Sequence, residues 1–242
     1  VRSRRQRQMC IRDRYFTILD APMSQQKDFV LRSIANMAGI PLPEINQIDE
    51  EEILYDIALN PDNTQSILYC VFQARENARG VRNVISKELW ESINKLYRHL
   101  KDYPIDDYKK TGLYDFTVTT LQHIAMFRSV LDGTLLHDET WNFIRLGLHL
   151  ERTSQITRIL QNKLIDTNAL MLAGKNVPLE NYQWITTLKV LEALDMSRKV
   201  YKKTPNQKTT CEFLITHPEF PRSIAYNLRF VHDFIQRIET EK

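Results

Sequence analysis

The chain has 242 residues, only six of them Gly, with 43% hydrophobic and 26% charged residues. That composition points to an all-α protein of one large domain or two small ones, and the absence of any apolar run near eighteen residues excludes a membrane span. The formal charge of +3 misleads, because residues 1–14 hold six Arg and one Asp and leave −2 for residues 15–242. Net charge therefore gives no support for a nucleic-acid or membrane-surface partner.

Residues 1–14, VRSRRQRQMCIRDR, lack a periodic apolar face and begin with Val. A mitochondrial leader and a nucleic-acid arm are two readings of such an Arg-rich start. A third is favoured: QMCIRDR reads as a translated sequencing-library adapter, so that native sequence starts near Tyr15. Two of the three cysteines, Cys70 and Cys211, lie beyond this segment and lack C-x-x-C spacing. This usage suits a reducing compartment, the cytoplasm by default.

Ser24 is placed to cap a helix running to about residue 38, which Gly39 stops. The acidic run at residues 49–52 opens a short helix through about residue 59, favourable for the helix dipole. One long helix is predicted over 64–85, with Ile67, Cys70, Val71, Ala74, Ala78, Val81 and Ile85 as its apolar stripe. Ser86 caps the next, whose apolar face is Leu89, Trp90, Ile93, Leu96, Tyr97 and Leu100. Tyr103-Pro104 breaks the pattern, and a helix over about 112–131 follows. Residues 132–134 read as a tight turn, with Asp138 capping what comes next.

That next stretch, residues 141–164, is the long central helix of an expected single multi-helix bundle. It is apolar on most faces yet contains Arg145, His149, Glu151 and Arg152. Buried charges are costly unless paired, so these residues form either an ion-pair network or a polar site. Further helices are predicted over about 182–201, 209–215 and 219–238. An internal repeat accompanies the pattern. Pro61-Asp62-x-x-x-Ser66-Ile67-x-Tyr69 recurs as Pro218-Glu219-x-x-x-Ser223-Ile224-x-Tyr226, which is either a common helix-start pattern or a duplication.

No Gly-rich phosphate loop, G-x-S-x-G, H-E-x-x-H or Glu-x-x-His pair is present. Neither metal nor cofactor is expected. His123, His137 and His149 read as surface or hydrogen-bonded core residues, and Cys70 as packing rather than a nucleophile. Two constellations carry charge on helices that must be partly buried: Arg75-Glu76 with Arg79 and Arg82, and Glu151-Arg152 with Arg145. Adjacent helical residues point about 100° apart. Glu76 is therefore expected not to pair with Arg75, nor Glu151 with Arg152; cross-helix pairs of Glu76 with Arg152 or Arg145, and of Glu151 with Arg75 or Arg79, are expected instead. Such a network would fix helix register. Alternatively, Glu76 and Glu151 are catalytic candidates, and Arg75, Arg79, Arg82, Arg145 and Arg152 offer guanidinium forks to a ligand carboxylate or phosphate.

The segments QARENARGVRNVISKELWESIN and DGTLLHDETWNFIRLGLHLERTSQITRIL, with NYQWITTLKVLEAL and HPEFPRSIAYNL, resemble the alpha-E family. This helical domain is named for its Glu-Arg motif and is also called domain of unknown function 403. The resemblance covers about residues 15–238. Family members typically begin with a helix bearing a first Glu-Arg motif, so it implies that this chain lacks its first helix. Family genes often neighbour a circularly permuted ATP-grasp protein and transglutaminase-like peptidases. The resemblance thus implies an accessory partner of an ATP-grasp amide ligase in peptide synthesis or modification. The alternative it leaves is an enzyme acting on a peptide or acyl-phosphate in an Arg/Glu-lined cleft.

Overall fold

The computed structural model describes residues 32–33, 35–36, 50–172 and 177–240, and every described regular element is helical. The expected helix over 24–38 falls largely outside these residues, though 32–33 and 35–36 are helical. In chain order the elements are α1 (Glu50–Ala58), α2 (Ile67–Gly80), a 3-10 turn (Arg82–Val84), α3 (Lys87–Lys101), α4 (Ile105–Thr134) and α5 (Glu139–Leu172). After them come α6 (Val177–Val190), α7 (Leu194–Tyr201), α8 (Gln207–Thr216) and α9 (Ile224–Thr240). The described residues fall into two compact units that divide between Trp141 and Asn142.

In the first unit, α2 is shorter than its apolar stripe predicts. It ends at Gly80, and Ile85 and Ser86 are extended so that Ser86 Oγ can accept the Leu89 N–H and cap α3. A cap needs non-helical backbone, so a helix continuing to residue 85 and a Ser86 cap exclude each other, and the cap prevails. Val81, assigned to the stripe, is accordingly exposed.

Helix α3 runs antiparallel to α2, with Arg75 meeting Asn94 and Phe72 meeting Tyr97. It also runs antiparallel to α4, where Ser86 bonds Thr134, His99 stacks on His123 and Tyr103 meets Phe116. Helix α4 starts directly after Pro104 and absorbs residues 132–134, which the sequence suggests are a turn. Thr134 Oγ1 instead donates to the Val130 carbonyl inside the last helical turn. The reversal comes at 135–138, where Asp138 accepts the Trp141 N–H. Val71, Leu96, Leu100, Phe116 and Ile124 are fully or almost fully buried and form the core.

In the second unit, α5 extends the predicted helix at both ends, and Phe143 and Leu150 stand exposed on it. Ile156 of α5 and Trp184, Leu188, Leu191, Phe213 and Leu214 of α6, its end and α8 are almost completely buried. The helix expected over 182–201 is two helices. Glu192 is left-handed, with φ 48°; its N–H donates to the Lys189 carbonyl, and the Ala193 N–H donates to the Leu188 carbonyl. This is a Schellman termination, held by Arg222, which donates to the Leu191 carbonyl and the Glu192 carboxylate. The last helix starts at Ile224 rather than near 219, because Ser223 is its cap and residues 217–223 form the turn before it.

The repeat is structural as well as sequential. Ser66 Oγ accepts the Tyr69 N–H at 3.0 Å, and Ser223 Oγ accepts the Tyr226 N–H at 3.0 Å. The Ser66 N–H donates to the Asn63 carbonyl and the Ser223 N–H to the Phe220 carbonyl, both at 2.9 Å. Both serines are fully buried, and each copy joins a short helix to a long one.

Candidate functional site

The first Glu-Arg constellation lies on α2, and Arg75 is its hub. Arg75 Nη1 meets Glu76 Oε1 at 2.6 Å and Arg75 Nε donates to Asn94 Oδ1 at 2.7 Å. Its guanidinium lies 5.7 Å from the Trp90 ring centroid and 5.1 Å from that of Tyr97. The expectation that Glu76 would not pair with Arg75 is therefore corrected. Side-chain length outweighs the divergence of adjacent Cβ atoms, since three methylenes and a planar fork let Arg75 fold back along the helix surface. Glu76 Oε2 is also met by Arg79 at 3.4 Å, although Arg79 is largely exposed. Arg82 stands 5.3 Å from the Trp90 centroid. Cation–π stacking on Trp and Tyr faces thus holds two of these three arginines against α3.

Beside this hub are two pockets that share Tyr97 and Lys101. The first, about 500 Å³, is walled by Tyr55, Tyr69, Phe72, Tyr97 and Tyr103, with Lys101 at its edge. Leu59, Leu68 and Leu100 supply its aliphatic surface. The second, about 550 Å³, is polar: Arg75, Arg98 and Lys101 face Glu91 and Asp102, with Asn94 between. Arg98 and Lys101 are exposed and make no ion pair with another described residue. Sequence reasoning placed Tyr97 on an apolar face and did not select Tyr55, Phe72, Arg98, Lys101 or Tyr103. Their convergence needs the antiparallel pairing of α2 and α3, which no local spacing encodes.

The second constellation belongs to the other unit. Arg152 is 6% exposed and donates through Nη1 to the Pro221 carbonyl at 2.9 Å and to Asn227 Oδ1 at 3.4 Å. His149 Nδ1 lies 2.8 Å from the same Asn227 oxygen. The Asn227 amide donates to the Pro221 and Ser223 carbonyls, so its Oδ1 is the acceptor and His149 Nδ1 carries the proton. Phe230 and Phe234 stack on the His149 ring. Glu151 Oε1 accepts from Gln155 Nε2 at 2.8 Å. Arg145 is half-buried one turn before His149. Arg152 and Asn227 thus tie α5 to the turn before α9, and although Asn227 lies in the HPEFPRSIAYNL segment, neither its type nor its spacing singles it out as the residue that completes this node.

Elsewhere His99 and His123 stack with centroids 4.5 Å apart, and burial lowers the pKa of both, His99 also through the charge of its neighbour. Cys70 Sγ donates to the Thr64 carbonyl, and burial pushes the Cys211 thiol up. Among the described residues no group of three or more His, Cys, Asp and Glu is placed to hold a metal ion. Nor, among them, is any helix long and apolar enough to cross a membrane.

Residues 9–242 match the Alpha-E family model, described as "A predicted alpha-helical domain with a conserved ER motif". No curated protein and no solved structure matches the chain.

Proposed function

The chain belongs to the Alpha-E family, and from that premise we propose that it acts by binding, as the helical partner of a cytoplasmic ATP-grasp amide-ligase system that makes or modifies peptides. The observation that carries this reading is the engagement of Glu76. Its two oxygens face Arg75 and Arg79, and Arg75 is in turn held by Asn94 and two aromatic faces. A general base must be able to reach a substrate proton, whereas Glu76 is committed to orienting the arginine that joins α2 to α3. In the second unit Arg152 holds a backbone carbonyl of the turn before α9. Both Glu-Arg pairs lie on long helices, and each arginine is used to build the fold.

A specific observation favours a second reading, an enzyme acting on a peptide or acyl-phosphate. Arg75, Arg98 and Lys101 share one pocket with Glu91 and Asp102, so cations and carboxylates stand together where an anionic substrate could enter. Co-expression with a circularly permuted ATP-grasp protein and a transglutaminase-like protein from a family gene neighbourhood separates the two. The binding reading expects a complex that survives size-exclusion chromatography, and no turnover of ATP, peptide or acyl-phosphate by the chain alone. Turnover by the isolated chain would overturn it.

A further inference from the structure

We infer that the tyrosine-walled pocket and the polar pocket beside it form one elongated site for the C-terminal end of an extended peptide. Its aromatic or prolyl residues lie on the tyrosines, and its terminal carboxylate lies at Arg98 and Lys101. The inference rests on the binding reading above and adds the class of ligand.

Three features carry it. First, the pockets adjoin the same two side chains, Tyr97 and Lys101, and lie within one unit, each of the volume that suits a small ligand. Together they offer more volume than one amino-acid residue fills. Second, the hydroxyls of Tyr55, Tyr69 and Tyr97 make no hydrogen bond with another described residue. Aromatic walls with unused hydroxyls suit a chain that offers both apolar side chains and peptide amides, the pattern by which extended and proline-rich segments are held in aromatic grooves. Third, charge is sorted along the site. One end is apolar, and at the other three cations face two carboxylates. Arg75 is already committed to Glu76, whereas Arg98 and Lys101 stand in the last turn of α3 without an ion partner among the described residues. A carboxylate between them gains charge-assisted hydrogen bonds. An amide-ligase system works on such carboxyl termini.

Calorimetric titration of the full chain tests the site with acetyl-Phe-Pro-Phe as the free acid, the same peptide as its C-terminal amide, and N-acetylphenylalanine. The site predicts saturable binding of the acid, about tenfold weaker binding of the amide, the loss of one charge-assisted contact, and much weaker binding of the single residue. Lys101→Gln, an exposed change, should narrow the preference for the acid, and adding Arg98→Gln should erase it. Tyr69→Ala should weaken both peptides about tenfold or more; if that variant does not fold, Tyr69→Phe should weaken both by a few fold. Absence of saturable binding at millimolar peptide, an acid preference that survives Lys101→Gln with Arg98→Gln, or N-acetylphenylalanine binding as tightly as the peptide would overturn the inference. These results need no ATP-grasp protein. A chain that forms the complex but binds no peptide leaves the binding reading standing and removes only the site.

Discussion

The Arg75 guanidinium stands 5.1 Å from the centroid of the Tyr97 ring, and Tyr97 belongs to both pockets of the first unit. Arg75 therefore helps to hold the wall of the cleft. It lines the polar pocket and positions the Tyr97 face, and its partners Glu76 and Asn94 fix its own rotamer.

Arg75→Ala removes an ion pair, a hydrogen bond to Asn94 and two cation–π contacts from a half-buried side chain. Each is modest alone, and together they should lower unfolding free energy by about 1–2 kcal/mol in urea titrations. Arg75→Lys keeps the charge but cannot serve Glu76 and Asn94 at once, so it should recover less than half of that loss.

Asn227→Ala should be the most destabilising single change at either Glu-Arg constellation. Asn227 is fully buried, accepts from His149 and Arg152, and donates to two backbone carbonyls. Truncation leaves those buried groups without their partner, at a cost of roughly 2–4 kcal/mol. Thermal unfolding of the variant would show it as a clear drop in midpoint, and an unchanged midpoint would remove Asn227 from the node.

The two capping serines predict an ordered pair. Ser66→Ala loses one cap, at about 1 kcal/mol. Ser223→Ala loses the same cap and also the hydrogen bond its hydroxyl donates to the His217 carbonyl, so it should cost more. Equal losses in chemical denaturation would mean that this second bond contributes nothing.

The stacked His99 and His123 give the first unit an acid sensitivity. Both folded-state values lie below the ordinary histidine value, so the unfolded chain takes up protons that the folded chain refuses. Their contribution is complete above the unfolded value near 6.5 and is lost as pH falls below it. The slope is at most about 1.4 kcal/mol per pH unit for each ring. Urea midpoints should fall between pH 7.5 and 5.5, and His123→Asn should flatten that fall.

Much of the scaffold is legible in the sequence. Ser86 and Asp138 are caps as their positions suggest, and the short helices at 50–58 and 207–216 fall where acids or turn residues mark them. The 157-residue offset of Ser66 and Ser223 reappears as matching hydrogen bonds. The misreadings share a cause. Helical period alone carries α2 past Gly80 and joins α6 to α7, whereas the Ser86 cap and the Arg222 contacts with Leu191 and Glu192 decide those ends. Cβ direction separates Glu76 from Arg75, and the reach of the arginine side chain overrides it. The cleft was illegible for a different reason: Tyr55, Tyr69, Tyr97 and Tyr103 come from α1, α2, α3 and the residue pair after it, and only packing brings them together.

The central claim is that the Glu-Arg motifs build a binding partner and do not perform chemistry. It is tested most directly by product formation in the reconstituted system, comparing wild-type chain with Glu76→Gln and Glu151→Gln. Each variant is first shown to be folded by circular dichroism and bound to the ATP-grasp protein by size-exclusion chromatography. The account predicts that folded, bound variants support product formation within about twofold of wild type, because Gln keeps the shape and hydrogen-bonding reach of Glu while losing its basicity. A folded and bound Glu76→Gln or Glu151→Gln that forms no product would contradict it and make that carboxylate catalytic.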